Sequence, residues 1–406
     1  MKSRFGNFFI DYSILSTIIA LVVIGLLCLY SATSGNNQPV LKTDFGKQII
    51  WSLAGFLVFL FFLFIPLKVL SQSSYILYGI SLILLVVVFF GGFSGIHRWI
   101  VVGSFQFQPS ELAKVATLLA LARYFSQQRE NTIGWKEFSI AACIGGIPLL
   151  LVLKEPDLGT ALVFLVLLTV MILWAGIKWK FLLWVLMPFV AFASGFNVFS
   201  FAGVMAVLII VLIATKQKWW IVFVISGLSF VLGFFAPAVW AKLEPYQQQR
   251  ILIFLGMKSD PHGAAYQLIQ SKVAVGSGGI LGKGFLHGSQ TQLRFLPEQH
   301  TDFIFSVLGE EFGFVGITIV LSLFLTLFFR MLFLAKTARD QFASFIVIGG
   351  VSILSFQSVV NIGMTVGLFP VTGLPLPFLS YGGSSFLMSM SLVGLAANVS
   401  GQRYRY

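Results

Sequence analysis

Long apolar runs separated by short polar segments make up most of this sequence. Runs of about 17 to 25 apolar residues are long enough to cross roughly 30 Å of hydrocarbon as helices. The pattern therefore predicts an all-α polytopic membrane protein in which residues 1–406 form a single transmembrane domain. About 12 transmembrane helices are predicted, at 11–31, 47–66, 74–93, 109–125, 138–154, 159–176, 180–197, 200–215, 219–240, 302–329, 342–363 and 384–400.

The composition is also typical of a polytopic membrane protein, with 58% hydrophobic and 10% charged residues. The run from about Ile14 to Leu29 resembles the apolar part of a signal peptide, and Tyr30-Ser31-Ala32 weakly resembles a cleavage site. We interpret this run as an uncleaved first span, because it is long enough to cross and other spans follow. Cys28 and Cys143 both lie in apolar runs, so we expect two buried thiols and no disulfide or metal cluster.

The positions of Lys and Arg predict the orientation, since basic residues are retained on the cytoplasmic side. Most of the 26 basic residues fall in short segments that are cytoplasmic if the N-terminus is inside. Both termini are then cytoplasmic, and the long segment 241–301 is extracytoplasmic. The net charge of +12 is explained by this topology and by contact with anionic membrane lipids. No basic stripe interleaved with aromatic residues indicates a nucleic-acid partner.

The largest polar interruption runs from about Ala241 to His300, and it gathers an unusual share of the chain's few charges. Asp260 lies here in Ser-Asp-Pro-His-Gly, which by itself is more often a turn than a catalytic group. We predict that segment 241–301 is a large extracytoplasmic catalytic loop. Glu298, His300 and Asp302 close it, where we expect them to cap the next span or, alternatively, to line a cavity.

A charged motif lies at the start of the fourth span, in Gln108-Pro-Ser-Glu111-x-x-Lys114. Proline suits the first helical turn, and Glu111 is favoured by the helix dipole there. Lys114 is three residues later and so shares a face with Glu111. The pair has two interpretations, a structural ion pair or, with Arg98 just upstream, a cationic site for a phosphate group.

Two further segments lie on the predicted outer side. Asp157, in the turn Lys154–Thr160, is predicted to cap the following helix. The prolines of segment 370–385 exclude regular helix, and irregular backbone near a membrane must be buried in protein or line a cavity. Ser380 in this segment is either a hydrogen-bonding partner for substrate or part of the architecture.

These motifs occur in an order that resembles the SEDS (shape, elongation, division and sporulation) family, and its RodA branch more than its FtsW branch. The resemblance covers nearly the whole chain. It includes Gln108–Lys114, Glu155–Thr160, Asp260-Pro, Tyr266-Gln267, Gln270-Ser-Lys272, Gly276–Gly279, Gly282–Gly284, Phe295–Phe303 and Pro375–Gly383.

Membership of this family would imply a peptidoglycan glycosyltransferase of the bacterial cytoplasmic (inner) membrane. Its substrates would be lipid II and an undecaprenyl pyrophosphate-linked glycan, and an inverting transfer would form β-1,4 bonds for cell elongation. A class B penicillin-binding protein is the implied partner.

Carried over to this chain, the resemblance makes Asp260 the general base. Arg98, Lys114, Arg250 and Lys272 become candidates for holding pyrophosphate. The remaining substrate-binding candidates are Glu111, Gln267, Glu298, His300, Asp302 and Ser380.

Two departures from the family pattern matter. Gly256-Met257 stands where family members commonly have Asp-Pro, which weakens any scheme with two aspartates on one metal. A divalent cation, Mg or Mn, at Asp260 therefore remains open, and no organic cofactor is expected. The family usually has ten spans, so residues 178–218 are predicted to be an extra helical hairpin. Two alternative functions also remain open, a lipid II flippase and a non-catalytic membrane scaffold for a transpeptidase.

Overall fold

The structure is a computed structural model, and it describes residues 11–34, 43–90, 99–102, 105–128, 134–176, 180–215, 219–243, 245–254, 257, 265–293 and 295–403. Each of the predicted spans overlaps a helix. Two short strands precede the fourth span, and four short helices lie in the segment before the tenth.

The elements follow in chain order. They are α1 (Tyr12–Thr33), α2 (Asp44–Phe64), α3 (Leu67–Phe90), β1 (Ile100–Val102), β2 (Phe105–Phe107), α4 (Pro109–Ser126), α5 (Trp135–Lys154), α6 (Leu158–Trp174), α7 (Lys180–Ser194), α8 (Val198–Ala214), α9 (Trp219–Phe234), α10 (Ala236–Lys242), α11 (Pro245–Phe254), α12 (Tyr266–Ser277), α13 (Ser289–Gln292), α14 (Ile304–Thr337), α15 (Gln341–Val366) and α16 (Gly383–Arg403).

The predicted fold class, an all-α polytopic membrane protein, is confirmed. Among the described residues, seven helices are long and apolar enough to cross a membrane by themselves. An eighth span results if α9 and α10, which are bent by 48° against each other, count as one. Helices α6 and α8 are apolar but shorter. The two strands form an antiparallel hairpin that pairs Ile100 with Phe107.

The chain divides into two compact units, one formed by residues 1–175 and 259–406 and the other by residues 176–258. In the second unit, α7 and α9 pack tightly, since a Cβ on Gly195 would overlap the carbonyl oxygen of Gly233. The extra hairpin predicted at 178–218 corresponds to α7 and α8. That these helices are an insertion relative to the ten spans usual in the resembled family stays a prediction.

In the first unit, α15 and α16 are the most deeply buried spans. They pack against α4, α6, α14 and α2.

The two cysteines differ, because Cys28 is buried whereas Cys143 is exposed. The expectation of a buried Cys143 was therefore wrong. An apolar run does not distinguish the face of a helix that packs on protein from the face left toward lipid.

Contacts sort the helix ends of the first unit into two groups. At one end, which we call the motif end, Gln299 Nε2 donates to Ala32 O in the last turn of α1, and Gln108 N donates to Ser384 Oγ at the start of α16. At the opposite end, Arg330 Nε donates to Asp11 Oδ2, and Asn398 Nδ2 donates to Ile65 O. The predicted alternation of spans produces the same two groups.

Helix α14 bends at Gly313, whose φ of 63° is accessible mainly to glycine. The glycine-rich turn 278–284 packs into this bend, where Phe314 N donates to Gly279 O at 2.9 Å. A Cβ on Gly313 would overlap the amide nitrogen of Gly282, and one on Gly282 would overlap the carbonyl oxygen of Glu311. The glycine motif therefore permits close approach of two backbones.

Candidate functional site

The first turns of α4 hold a buried ion pair at the motif end. Lys114 Nζ lies 2.7 Å from Glu111 Oε1, and both side chains are buried. Proline occupies the first helical turn, as expected. The predicted shared face of Glu111 and Lys114 is confirmed. Glu111 Oε2 has no hydrogen-bond partner among the described residues, and Glu111 accepts only one of the three N–H donors of Lys114.

The N-termini of α4, α6 and α16 meet beside this pair. Gln108, which precedes α4, donates from its backbone nitrogen to Ser384 Oγ at 3.2 Å and from Nε2 to Asp157 Oδ2 at 3.4 Å. Asp157 Oδ1 in turn accepts from Thr160 N at 3.1 Å, so its predicted capping of α6 is confirmed. Three helix N-termini bring partial positive charge to one place, which favours an anion there.

Residues 370–382, which we call the proline loop, form irregular and largely buried backbone. The prediction that segment 370–385 is not helical is confirmed for residues 370–382, whereas α16 already begins at Gly383. Asn361 Nδ2 holds the loop by donating to Leu374 O at 2.7 Å. Ser380 Oγ donates to Thr301 O at 2.6 Å and accepts from Leu376 N at 2.9 Å. This use of the hydroxyl favours the architectural interpretation of Ser380.

A second polar group, which we call the histidine cluster, joins the start of α2 to the segment before α14. His300 Nε2 lies 3.7 Å from Asp44 Oδ2 and 3.9 Å from Glu298 Oε2. Asp44 Oδ1 accepts from Lys47 Nζ at 3.2 Å. Tyr381 N donates to His300 O at 2.9 Å. Burial raises the pKa of the Tyr381 phenol, and the charges of Lys47 and Asp44 act on it in opposite directions.

The chain enters α14 through turns. Phe303 occupies the N-cap position, and its own side chain makes no cap hydrogen bond. The N-cap position is therefore not taken by Glu298, His300 or Asp302, and a capping role for these side chains stays a prediction. Asp302 O instead accepts from Asn361 Nδ2 at 3.0 Å, which ties this segment to α15.

Lys272 and Gln267 both lie on α12. The Lys272 side chain is exposed and lies at the C-terminal end of α15, where a Cβ on Gly367 would overlap its Nζ. This position complements the negative end of the α15 dipole. Gln267 is in the first turn of α12 and is partly buried.

Three candidates cannot be placed relative to these groups. Asp260 and Arg98 lie outside the described residues. Arg250 is in α11, which belongs to the second unit. No group of three or more His, Cys, Asp or Glu side chains suited to a metal ion occurs in the described part of the chain. A divalent cation at Asp260 stays a prediction.

Sequence reasoning missed Glu310, a wholly buried carboxylate in the second turn of α14. Glu310 Oε1 accepts from Lys283 Nζ at 2.8 Å and from Gln290 N at 2.9 Å, and Oε2 accepts from Thr291 N at 3.0 Å. The next residue, Glu311, accepts from Ser31 Oγ of α1. Two adjacent acids inside an otherwise apolar run were the available signal, since such charges need partners.

Comparisons with known proteins support one family. The family model FtsW/RodA/SpoVE, described as "Cell cycle protein", matches residues 12–202 and 197–405. Peptidoglycan glycosyltransferase RodA of Treponema pallidum is 36% identical over 97% of this chain and 98% of its own. Peptidoglycan glycosyltransferase MrdB of Escherichia coli K12 is 36% identical over 99% of this chain and 96% of its own.

The fold also matches a solved structure. This is a chain from work described as structural coordination of polymerization and crosslinking by a peptidoglycan synthase complex. That chain is 33% identical, with a TM-score of 0.72 over 98% of this chain and 99% of the other.

Proposed function

This chain belongs to the FtsW/RodA/SpoVE family, and we propose that it polymerises lipid II into β-1,4 glycan strands for cell elongation. It is a RodA-like peptidoglycan glycosyltransferase, which is the activity that names its full-length relatives in Treponema pallidum and Escherichia coli.

The reaction requires a base and a cationic site. The carboxylate of Asp260 takes the proton from the 4-hydroxyl of the terminal sugar of lipid II. That oxygen attacks the anomeric carbon of the growing glycan from the face opposite the lipid pyrophosphate, so the configuration inverts. The bond between the anomeric carbon and the pyrophosphate oxygen breaks, and the pyrophosphate leaves with the electron pair. General base catalysis of this kind typically contributes about 10²–10⁴-fold.

The observation that carries the proposal is the buried Lys114 with one of its three donors used by Glu111. A buried charge in a membrane protein is costly and is by default a functional-site hypothesis. The two remaining N–H donors of Lys114 and the N-termini of α4 and α16 provide positive charge for a departing pyrophosphate, whereas the N-terminus of α6 is already capped by Asp157. We propose Arg98, Arg250 and Lys272 as further contacts for phosphate.

The other candidates complete the proposed cavity. Glu111 orients Lys114, whereas Gln267, Glu298, His300 and Asp302 contact the sugars and peptide of the substrate. Ser380 contributes by holding the proline loop in place. Asp260 would hold a divalent cation, which would offset negative charge on the pyrophosphate; chelation with EDTA followed by addition of Mg²⁺ or Mn²⁺ tests this.

We further propose that the motif end faces outward from the bacterial cytoplasmic membrane, with both termini in the cytoplasm. The distribution of Lys and Arg supports this orientation. The proposed partner is a class B penicillin-binding protein. The similar chain from work on a peptidoglycan synthase complex that coordinates polymerization and crosslinking supports a crosslinking partner.

The test is polymerisation of fluorescent lipid II by purified protein, alone and with its cognate penicillin-binding protein. We expect wild type to form glycan and Asp260→Asn to lose at least about 100-fold in rate. Glu130→Gln, in a predicted cytoplasmic segment, is the matched control and should retain wild-type activity. Full synthesis by Asp260→Asn would disprove the assigned base.

The same protein in liposomes distinguishes the alternatives. Transfer of labelled lipid II between leaflets without polymer would indicate a flippase. Neither polymer nor transfer, with the partner still bound, would indicate a scaffold.

A further inference from the structure

A groove runs between α1 and α14 at the opposite end from the motifs. Its volume is about 540 Å³. The α14 residues that line it recur every three or four positions and so form one stripe along the helix. The groove, which we call the α1–α14 groove, is lined by Ser13, Ser322, Leu325, Thr326, Phe329, Arg330 and Phe333.

Arg330 provides the charge of this groove. Its Nε donates to Asp11 Oδ2 at 2.7 Å, and its guanidinium lies 5.4 Å from the centre of the Phe333 ring. The side chain is 35% exposed. The two terminal nitrogens of Arg330 have no hydrogen-bond partner among the described residues. An arginine fork with free donors fits a phosphate group in two-point contact.

The other α14 residues that line the groove behave as apolar groups. Ser322 Oγ donates to Thr318 O, and Thr326 Oγ1 donates to Ser322 O, both at 2.7 Å, so neither hydroxyl needs a partner in the groove. Leu325 and Phe329 are more than half exposed. The groove thus has a cationic group at one end and an uncharged wall along its length.

Its dimensions fit one leaflet of a bilayer. Arg330 and Ser322 are eight residues apart, which corresponds to about 12 Å along a helix. One leaflet contributes about 15 Å of hydrocarbon. Lys336 in the last turn of α14 and Arg339 just after the helix follow Arg330, on the predicted cytoplasmic side.

We propose that the α1–α14 groove binds an anionic phospholipid of the cytoplasmic leaflet. The phosphate contacts the terminal nitrogens of Arg330, and an acyl chain lies along Phe329, Thr326 and Ser322. Positive charge at Lys336 and Arg339 favours a lipid with net negative charge over a zwitterionic one. This site is separate from the proposed catalytic cavity.

The proposal is tested by native mass spectrometry of the full chain titrated with phosphatidylglycerol or with phosphatidylcholine of the same acyl chains. We expect wild type to bind phosphatidylglycerol about tenfold more tightly, because its net negative charge is attracted by Arg330 and by the two basic residues that follow it. Arg330→Gln should remove most of this preference. Lys68→Gln, the matched control at an exposed lysine of α3 outside the groove, should leave it unchanged.

Two further variants keep the test decisive if Arg330→Gln leaves Asp11 unpaired and fails to fold. Arg330→Lys retains the charge and should retain a weaker preference, whereas Thr326→Trp fills the groove and should weaken binding of both lipids. Equal affinities in wild type, a full preference in Arg330→Gln or unchanged binding to Thr326→Trp would overturn the proposal. So would binding of soluble glycerol phosphate as tight as that of the lipid.

Discussion

Two buried charged residues of the first unit differ in how completely their hydrogen-bonding capacity is used. Glu310 accepts bonds from four residues and has no unpartnered oxygen. Lys114 has one partner, Glu111, whose second oxygen has none among the described residues. A saturated buried charge is typical of architecture, whereas an unsaturated one is available to a ligand. We therefore assign Glu310 to the scaffold and Lys114 to the cavity.

This contrast predicts that single and double variants at Glu111 and Lys114 differ in stability and in glycan synthesis. Lys114→Met leaves Glu111 buried without a counter-charge and should destabilise the protein by about 3–5 kcal/mol. The double variant Lys114→Met/Glu111→Met should recover most of that stability, because apolar replacements of similar size remove both charges. It should nevertheless stay at least about 100-fold below wild type in glycan synthesis.

The measurements are thermal unfolding in detergent and polymerisation of lipid II, with Lys336→Met as the exposed control. If the double variant polymerises lipid II at the wild-type rate, the pair is structural and our assignment of Lys114 fails.

Glu310 should stabilise segment 283–291 against local opening. Glu310→Ala removes the acceptor for the amides of Gln290 and Thr291. Hydrogen exchange of these two amides should therefore accelerate at least about tenfold, since each bond is made to a charged group. Glu298→Ala, at a side chain that is 59% exposed, should leave them unchanged. Equal exchange in wild type and Glu310→Ala would contradict this role.

At the scale of elements, hydrophobic run length predicted where helices form, because a segment in hydrocarbon must satisfy its backbone polar groups within itself. Seven or eight of the described helices are long and apolar enough to span a membrane, so the count of about 12 spans stays a prediction. Contacts distant in sequence set most of the features that were missed. The bend at Gly313 depends on the turn 278–284, more than 28 residues earlier. The β1–β2 hairpin was missed although its β-branched and aromatic residues around Gly103-Ser104 are a local hairpin signal. The exposed face of Cys143 depends on which helices flank α5.

The packing at the α14 bend predicts the effect of a single methyl group. Gly313→Ala places a Cβ against the backbone of the turn 278–284 and in a strained conformation. The backbone strain alone should cost about 1–3 kcal/mol. Gly79→Ala is the matched control, because a Cβ on this helical glycine meets nothing within 4 Å, and it should stabilise α3 slightly.

Thermal unfolding of both glycine variants checks this prediction. A Gly313→Ala protein as stable as wild type would mean that α14 does not require the bend.

At the scale of the whole molecule, sequence motifs predicted some site groups better than others. The Glu111–Lys114 pair and the Asp157 cap were predicted because their partners are three residues apart. The histidine cluster was not, because it joins Asp44 to His300 and Tyr381 across most of the chain. Residue spacing in sequence reports contacts within a helix turn, and only folding brings the remaining groups together.

The predicted orientation is the whole-molecule property on which the proposed function depends most, because lipid II polymerisation requires the motif end outside. Single cysteines at Ser259 and Arg339 in a Cys28→Ala/Cys143→Ala background should react differently with a membrane-impermeant maleimide. The cysteine at position 259 should label in intact cells, and the one at position 339 only after permeabilisation. The reason is that charged segments rich in Lys and Arg stay inside during insertion. The reverse pattern would place Asp260 in the cytoplasm, where it has no access to lipid II at the outer face, and would rule out the proposed reaction.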